Sequence, residues 1–334
     1  FLFFLALLEL GSYGILRYFN KMGINKAGLT FLNTQLSNTE TKQITNPMQT
    51  IIPNPYSLYW NNPEYTDSEY GNIYNSLGYR SIEESEINTN SKRILALGGS
   101  TTNVYPYIKD NRKIWTYLVE EKLNQNAPFN YHVINAGLPY GTTAELLSHY
   151  IFKGKYTSPN YVIYHGGGND SMPLFFPNYQ TDYSHVRWSQ TGAKMRNKFR
   201  ALVSKSNTLK LITSVTFSSS PTNGSPPFDS LTTNEVKKRV QNQEPIAFRE
   251  NLEVLASETR RQGNKLFLVG FLQAKKKNLA RNRPDLIGLE DTLILGVEKH
   301  DGVMRSIAEK HEHVYFVKLN EEKFKAEWFL DNCH

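Results

Sequence analysis

The stretch Arg93-Ile-Leu-Ala-Leu97, followed by Gly98-Gly99-Ser100-Thr101-Thr102, decides the fold class of this chain. A short run of consecutive apolar residues indicates a buried strand, and a pair of glycines is typical of the point where such a strand ends. Ser100 therefore comes directly after the carboxyl end of a predicted strand. The fold and the chemistry of the chain can both be worked out from this point.

Four further apolar runs indicate strands, at residues 131–135, 161–164, 265–269 and 314–317. Helical patterns separate these runs, at residues 112–125, 142–154, 245–262 and 293–311. Strands that alternate with helices favour a parallel sheet covered by helices on both faces. We therefore predict an α/β fold, a doubly wound parallel sheet flanked by helices.

Polar and glycine-rich segments follow several of the predicted strands. They are Asn135-Ala136-Gly137 after the second strand, Gly166-Gly167-Gly168-Asn169-Asp170 after the third, and Asp331-Asn332-Cys333-His334 shortly after the last. In a doubly wound sheet, ligands bind outside the carboxyl ends of the strands. The sequence therefore predicts a serine hydroxyl, an asparagine amide and a carboxylate–imidazole pair along one edge of the sheet.

At these residues the chain resembles the SGNH (GDSL-like) hydrolase superfamily, whose sequence blocks are named for Ser, Gly, Asn and His. The resemblance covers about residues 92–334 and includes all four blocks in family order. It implies a flavodoxin-like three-layer fold and a hydrolase that acts on ester bonds. The first block departs from the usual pattern, because it has Gly-Gly-Ser-Thr where many members have Gly-Asp-Ser. The tract Asn75-Ser-Leu-Gly-Tyr-Arg80 is similar to members with an N-terminal membrane anchor.

The resemblance implies a role for each block in acyl transfer. Ser100 is the expected nucleophile, His334 the base that takes its proton, and Asp331 the carboxylate that orients the imidazole. The backbone N–H groups of Ser100 and Gly137 and the side-chain amide of Asn169 are the expected oxyanion donors. No metal and no organic cofactor is expected. The expected partner is an ester substrate, with acylated carbohydrates and lipids as candidates.

Each of these residues also has a structural interpretation that needs no ligand: a helix cap for Ser100, a turn for Gly137, a turn pair for Asn169 and Asp170, and a polar tail for Asp331 and His334. Cys333 is predicted to be a packing residue rather than a nucleophile. The remaining histidines show no metal-ligand spacing and are predicted to be structural or exposed: His132, His149, His165, His185, His300, His311 and His313.

Three functions fit this pattern. The first is a serine esterase for O-acyl esters, O-acetyl esters included. An acyltransferase that modifies an envelope polysaccharide would use the same residues, and a non-catalytic glycan-binding protein would keep only the fold.

The single cysteine excludes an internal disulfide framework and a multi-cysteine metal site. The sequence also lacks Gly-x-Ser-x-Gly, Ser-x-x-Lys, His-Glu-x-x-His, phosphate-loop and dinucleotide-binding signatures.

The chain opens with the apolar segment Phe1-Leu-Phe-Phe-Leu-Ala-Leu-Leu8, which continues past Glu9 to Phe19. A membrane-spanning helix needs about 20 apolar residues. We interpret residues 1–19 as the last part of an N-terminal membrane helix or signal anchor, with a buried core helix as the alternative. The domain would then be membrane-anchored and face outward, in the periplasm or at the cell surface. We also expect the natural protein to continue before Phe1 and after His334.

Residues 20–91 are rich in Asn, Thr, Tyr and Pro and are predicted to be a spacer that can lie against the domain, with little regular structure. The hydrolase domain is predicted over residues 92–334, with an insertion at about 171–240. Residues 187–283 carry 19 basic and 6 acidic side chains, a difference of +13 in a chain of net charge +7. A solvated basic face explains this block, as does attraction of an acidic polymer. No nucleic-acid-binding signature accompanies it, so no nucleic-acid partner is expected.

Overall fold

The computed structural model describes residues 2–21, 50–54, 56–183, 185, 206–218, 232–273, 288–325, 328–331 and 333–334. Its strands are β1 (Ile51–Asn54), β2 (Leu58–Asn61), β3 (Thr66–Asp67), β4 (Gly71–Asn72), β5 (Lys92–Gly98), β6 (Tyr131–Gly137), β7 (Tyr161–His165), β8 (Lys265–Val269) and β9 (Val314–Val317). Its α-helices are α1 (Leu2–Lys21), α2 (Ser100–Asn103), α3 (Trp115–Asn126), α4 (Thr143–Phe152), α5 (Gly168–Ser171), α6 (Asn207–Ser218), α7 (Thr233–Asn242), α8 (Ile246–Arg261) and α9 (Glu290–Lys310).

Strands β5 to β9 form a parallel sheet in the order β6-β5-β7-β8-β9. All five strands, and the helices predicted between them, occur where the sequence predicts them. The chain passes from β5 to β6 on one side and then crosses to β7 on the other, so the strand order reverses at β5. Loops that leave β5 and β7 therefore diverge, and the crevice between them is the ligand-binding position in sheets of this topology.

Alternate residues of β5 bury against opposite faces of the sheet, because successive side chains in a strand point to opposite sides. Leu95 and Leu97 belong to the larger core cluster, and Ile94 and Ala96 belong to a smaller one. Burial of each large aliphatic side chain contributes about 1.5–3 kcal/mol. The larger cluster contains residues of α8 and α9, and the smaller one packs against α3: Phe248, Leu252, Leu255, Val303, Met304 and Ile307 in the first, Trp115, Val119 and Leu123 in the second.

The described residues in the second half of the predicted spacer pack against this core. Residues 50–54 and 56–91 belong to the same compact unit as the sheet, whereas residues 22–49 and 55 lie outside the described residues. Trp60 is 2% exposed and stacks on His149, with ring centroids 3.6 Å apart. The hydroxyl of Tyr79 lies 3.1 Å from Nε2 of the same histidine. Contacts of single aromatic residues attach this segment to the sheet domain. Such contacts produce no periodic pattern in the sequence, so no regular element could be predicted there.

The predicted insertion at about 171–240 divides between the two units. Helix α7 belongs to the unit of the sheet, in which Val236 and Val240 are fully buried against Leu174 and Phe175. The described residues 206–218 belong to the other unit, together with residues 2–21. The part of the basic block at 187–205, 219–231 and 274–283 lies outside the described residues, so the prediction about its partner stays a prediction.

Helices α1 and α6 pack together in the smaller unit. The carboxylate of Glu9 accepts hydrogen bonds from the N–H groups of Asn207, at 2.7 Å, and Thr208, at 3.4 Å, and from the hydroxyl of Ser206. These groups lie at the first turn of α6, so Glu9 caps that helix from outside it. Residues 1–19 were predicted to be the last part of an N-terminal membrane helix or signal anchor, and residues 2–19 lie in helix α1. Among the described residues, however, the combination of length and apolarity needed to cross a bilayer is not found in any helix.

Candidate active site

Ser100 is the first residue of α2, and this helix begins immediately after β5 ends at Gly98. The first N–H groups of a helix have no acceptor within the helix, so the helix leaves the N–H of Ser100 available for another acceptor. Gly99 precedes it in an extended conformation. A Cβ atom at Gly99 would lie 2.7 Å from Nδ2 of Asn169, which explains why a glycine is required here.

The structure brings Ser100, His334 and Asp331 together, although Ser100 and His334 are 234 residues apart. Oγ of Ser100 lies 2.7 Å from Nε2 of His334, and Nδ1 of the same ring lies 2.7 Å from Oδ2 of Asp331. This is the arrangement of a nucleophile, a base and an orienting carboxylate. All three side chains are at least partly buried, which limits the competition of water for the hydrogen bonds between them.

Asp331 also holds the loop that carries the base. Its Oδ1 accepts hydrogen bonds from the backbone N–H groups of Cys333 and His334, each at 2.8 Å. Burial would raise the pKa of Asp331, but the hydrogen bonds from the His334 ring and from the two N–H groups outweigh burial and lower this pKa. Asp331 is therefore ionised throughout the neutral pH range. One carboxylate orients the imidazole and fixes the backbone around it.

Tyr107 is a further member of this group that the sequence analysis missed. Its ring stacks on the ring of His334, with centroids 4.4 Å apart and planes 24° from parallel. Its hydroxyl lies 3.5 Å from Oδ2 of Asp331, at the limit of a hydrogen bond. Burial, followed by the charge of Asp331, raises the pKa of Tyr107 to about 12, so the phenol stays protonated. A single tyrosine in a loop carries no periodic or motif signal by which it could have been found.

The loop that carries Tyr107 is fixed by Asp67, which is nearly fully buried. Oδ2 of Asp67 accepts a hydrogen bond from the hydroxyl of Tyr105, at 2.9 Å, and forms an ion pair with Nζ of Lys109, at 3.1 Å. Burial would raise the pKa of Asp67, but hydrogen bonds from the Glu69 backbone, Tyr105 and Lys109 lower it to about 2. The two ends of the loop are thus tied to one carboxylate.

Arg80 fixes the same loop from a second direction. Its guanidinium is buried and donates hydrogen bonds to the carbonyl oxygens of Asn103, at 2.6 Å, and Lys109, at 3.0 Å, and to the side chain of Asn111, at 2.8 Å. Asn103 is the last residue of α2, so Arg80 joins the helix of the nucleophile to the loop of Tyr107. The planar guanidinium suits this task because its donors point in fixed directions.

Asn169 lies at the carboxyl end of β7, opposite Ser100 across the crevice. Its side-chain Nδ2 donates a hydrogen bond to the carbonyl of Gly141, at 2.9 Å, and is the atom that a Cβ at Gly99 would contact. An amide nitrogen carries two hydrogens. One N–H of Asn169 donates to the Gly141 carbonyl, and because the amide is planar this bond also fixes the orientation of the second N–H. The amide of Asn169 therefore lies next to Gly99, the residue that precedes Ser100.

Asp170 fixes the turn that carries Asn169. It is fully buried and accepts hydrogen bonds from the backbone N–H of Thr143, at 3.0 Å, from the hydroxyl of Thr143, at 2.6 Å, and from the hydroxyl of Tyr183, at 3.2 Å. Burial raises the pKa of Asp170 to about 6. The carboxylate lies at the start of α4, where the helix dipole favours a negative charge. The turn pair predicted from sequence is thus anchored to a neighbouring helix.

Gly137, the other expected backbone donor, lies at the carboxyl end of β6, and its role as an oxyanion donor stays a prediction. Its backbone N–H donates to Oδ1 of Asn135, at 2.9 Å. Its carbonyl accepts hydrogen bonds from the side chains of Asn61, at 2.9 Å, and Asn103, at 3.0 Å. A Cβ atom at Gly137 would lie 2.8 Å from Cα of Asn103. Gly137 is therefore needed because α2 packs directly against its backbone.

The other histidines have structural partners, as predicted. His165 lies at the end of β7, with Nδ1 3.2 Å from the hydroxyl of Thr102, and burial lowers its pKa to about 4. Nδ1 of His300 bonds to the carbonyl of Gly296 at 2.6 Å, and burial lowers its pKa to about 4 as well. In the part of the chain that the structure describes, Asp331, Cys333 and His334 form the one group of potential metal ligands whose atoms all lie within 4.8 Å.

No family model matches this chain, and no curated protein matches it. Solved structures that are similar to it include AlinE4, an SGNH-hydrolase family esterase, at 18% identity, with 69% of this chain and 77% of that chain covered and a TM-score of 0.36. They also include the lipase/acylhydrolase from Enterococcus faecalis, at 16% identity, with 69% and 77% covered and a TM-score of 0.38. A mutant of Axe2, an acetyl-xylooligosaccharide esterase from Geobacillus Stearmophilus, is similar at 14% identity, with 70% and 78% covered and a TM-score of 0.36.

Proposed function

We propose that the protein is a serine esterase that hydrolyses O-acyl esters, acetyl esters among them. The observation that supports this most directly is the pair of 2.7 Å contacts that link Ser100 to His334 and His334 to Asp331. A serine hydroxyl becomes an effective nucleophile only when a base can remove its proton. The loop geometry supports the same proposal, because Asp331 holds both the ring and the backbone of the base.

In the proposed reaction, Oγ of Ser100 attacks the carbonyl carbon of the ester while its proton passes to Nε2 of His334. The carbonyl π electrons move to oxygen, and the Ser100 N–H and the Asn169 amide stabilise the oxyanion that forms. The tetrahedral intermediate collapses, the C–O bond to the alcohol breaks, and the imidazolium returns the proton to the leaving oxygen. Water then attacks the acyl–serine by the same steps, and the carboxylic acid leaves.

Stabilisation of the oxyanion is expected to supply a large part of the rate, about 3 kcal/mol for each donor. Both proposed donors are fixed before substrate binds. The Ser100 N–H is fixed by the start of α2, and the Asn169 amide is fixed by its bond to Gly141. Donors that need no rearrangement stabilise charge most effectively, because no free energy is spent to orient them during the reaction.

The test is hydrolysis of p-nitrophenyl acetate by the purified chain, compared with Ser100→Ala. We expect Ser100→Ala to remove turnover and labelling by a fluorophosphonate probe while the circular dichroism spectrum is unchanged. Ser257→Ala is the matched control, because Ser257 is an exposed helix residue whose hydroxyl donates a hydrogen bond to the carbonyl of Glu253, at 2.9 Å. Equal hydrolysis by the Ser100→Ala and Ser257→Ala variants would exclude Ser100 as the nucleophile.

A further inference from the structure

Cys333 lies beside the proposed base in a position that the hydrolytic mechanism does not use. Its Sγ is 3.5 Å from Nδ1 of His334, and Oδ2 of Asp331 is 2.7 Å from the same nitrogen. A thiolate, an imidazole and a carboxylate are the three ligand types that zinc binds in proteins. The backbone bonds from Cys333 and His334 to Oδ1 of Asp331 fix all three side chains on one tight loop.

We propose that Asp331, Cys333 and His334 form a binding site for a thiophilic divalent cation such as Zn²⁺, and that its occupation reversibly switches off the proposed esterase. The inhibitory half of this inference rests on the proposed function, whereas the binding half does not. With metal–ligand distances of about 2.3 Å to sulfur and 2.05 Å to nitrogen, a Sγ–Nδ1 separation of 3.5 Å corresponds to an angle of about 107° at the ion. That angle is close to the tetrahedral value, so the two side chains can bind the ion with little movement.

Binding at this site would change the tautomer of His334. In the catalytic arrangement Nδ1 carries a proton that it donates to Asp331, and Nε2 is free to accept the proton of Ser100. A cation on Nδ1 requires that this proton leave the atom, and it moves to Nε2, while the thiol of Cys333 releases its proton to solvent. Nε2 then carries a hydrogen and cannot act as base. Removal of the ion reverses both proton movements, so the inhibition is reversible.

The donor set also predicts which ions bind. One carboxylate with one thiolate and one imidazole suits zinc, cobalt and cadmium. Magnesium and calcium prefer several oxygen ligands, and only Asp331 offers oxygen in this group. We therefore expect Zn²⁺ to inhibit and Mg²⁺ at the same concentration to have no effect. This selectivity separates a specific site from general screening of charge.

The binding experiment uses Co²⁺ and the Ser100→Ala variant, so it needs no esterase activity. A thiolate–cobalt absorption band in the near ultraviolet is expected for Ser100→Ala, and its loss is expected when Cys333→Ala is added. If the band is absent from Ser100→Ala, or if it survives Cys333→Ala, the metal site is excluded whether or not the protein is an esterase. A band without any hydrolysis by the unaltered chain would leave the site in place and overturn the proposed function instead.

The inhibition experiment measures kcat/KM on p-nitrophenyl acetate against Zn²⁺ concentration. Mutation of a residue that only contacts a metal ligand lowers metal affinity by about 10- to 100-fold. Loss of the thiolate ligand itself in Cys333→Ala should therefore raise the Zn²⁺ concentration that halves kcat/KM by at least about 10-fold. Activity without zinc should change little, because the thiol takes no part in the proposed reaction, and EDTA should restore the inhibited enzyme. Equal zinc sensitivity of the unaltered chain and Cys333→Ala would overturn the inference.

Discussion

The ring of Tyr107 covers the ring of His334 at a centroid distance of 4.4 Å, and its hydroxyl reaches the carboxylate that orients the same imidazole. One side chain thus contacts both the proposed base and its orienting partner. Because Asp67 and Arg80 fix the loop of Tyr107, the position of the imidazole depends on residues of the segment before β5. We interpret Tyr107 as a positioning residue.

Tyr107→Ala should lower kcat by about 10- to 100-fold, since a displacement of about 1 Å in a reacting group can cost about 100-fold. Tyr107→Phe should keep most of the activity, because it preserves the stacked ring and removes only the long contact to Asp331. The two variants are compared by kcat and KM separately. A rise in KM with unchanged kcat in Tyr107→Ala would instead make Tyr107 a substrate contact.

Asn169→Ala should lower kcat by about 100- to 1,000-fold with little change in KM, because its amide acts mainly on the charge that develops in the transition state. Asn126→Ala is the control: this exposed helix residue also uses its amide to donate to a backbone carbonyl, that of Lys122, at 2.8 Å. Steady-state kinetics of both variants provide the measurement. If Asn169→Ala retained full kcat, the second oxyanion donor would have to come from another residue.

Arg80→Ala should reduce both the stability and the activity of the protein. It would leave the carbonyl oxygens of Asn103 and Lys109 without their charged donor, and a hydrogen bond to a charged group is worth about 1.5–3 kcal/mol. We expect the free energy of unfolding in urea to fall by about 3 kcal/mol. Arg112→Ala is the control, because Arg112 is highly exposed and pairs with Asp110 on the surface. Equal stability of the two variants would show that Arg80 does not clamp the loop.

Buried histidines make the stability depend on pH. His165 has a pKa of about 4 in the folded protein, because burial disfavours its charged form, against about 6.5 when unfolded. Between these values the unfolded chain binds more protons, so the stabilising contribution is complete above about pH 6.5 and is lost as the pH falls toward 4. When the pH is lowered from 7 to 5, the free energy of unfolding should fall by about 2 kcal/mol less in His165→Gln than in the unaltered chain.

Asp301 should act in the opposite direction. Burial raises its pKa to about 6 from 3.8. The folded chain therefore binds more protons between these values, and stability falls as the pH rises from about 4 to about 6. In the unaltered chain, protonation of Asp301 adds to the free energy of unfolding when the pH is lowered from 7 to 5. Asp301→Asn lacks this contribution, so its free energy of unfolding should fall by about 1 kcal/mol more over this range than that of the unaltered chain. Urea titrations at pH 7 and pH 5 measure these differences. If the unaltered chain, His165→Gln and Asp301→Asn lost the same free energy of unfolding, His165 and Asp301 would not be the sources of the pH dependence.

The sheet could be predicted from sequence because each strand is a continuous apolar run, as in Ile94–Leu97. Ser100, Asn169 and His334 were identified by their order and by their place after strands or in the final loop. The roles of Tyr107 and Arg80 could not be predicted in this way. They depend on single contacts between loops, and such contacts leave no period in the sequence. The role of Gly137 as an oxyanion donor stays a prediction, because a glycine needed for close packing of α2 and one that binds a ligand look the same in sequence.

The loop that supplies Asp331 and His334 keeps large apolar side chains in solvent, with Trp328 58% and Leu330 56% exposed. The strand that leads to Ser100 is, by contrast, fully buried at Leu95 and Leu97. Segments with few buried contacts detach at a lower free energy than the whole domain unfolds. The proposed nucleophile and its base therefore belong to regions of unequal local stability. In mild urea, hydrolysis should cease while the far-ultraviolet circular dichroism of the sheet and helices is still intact.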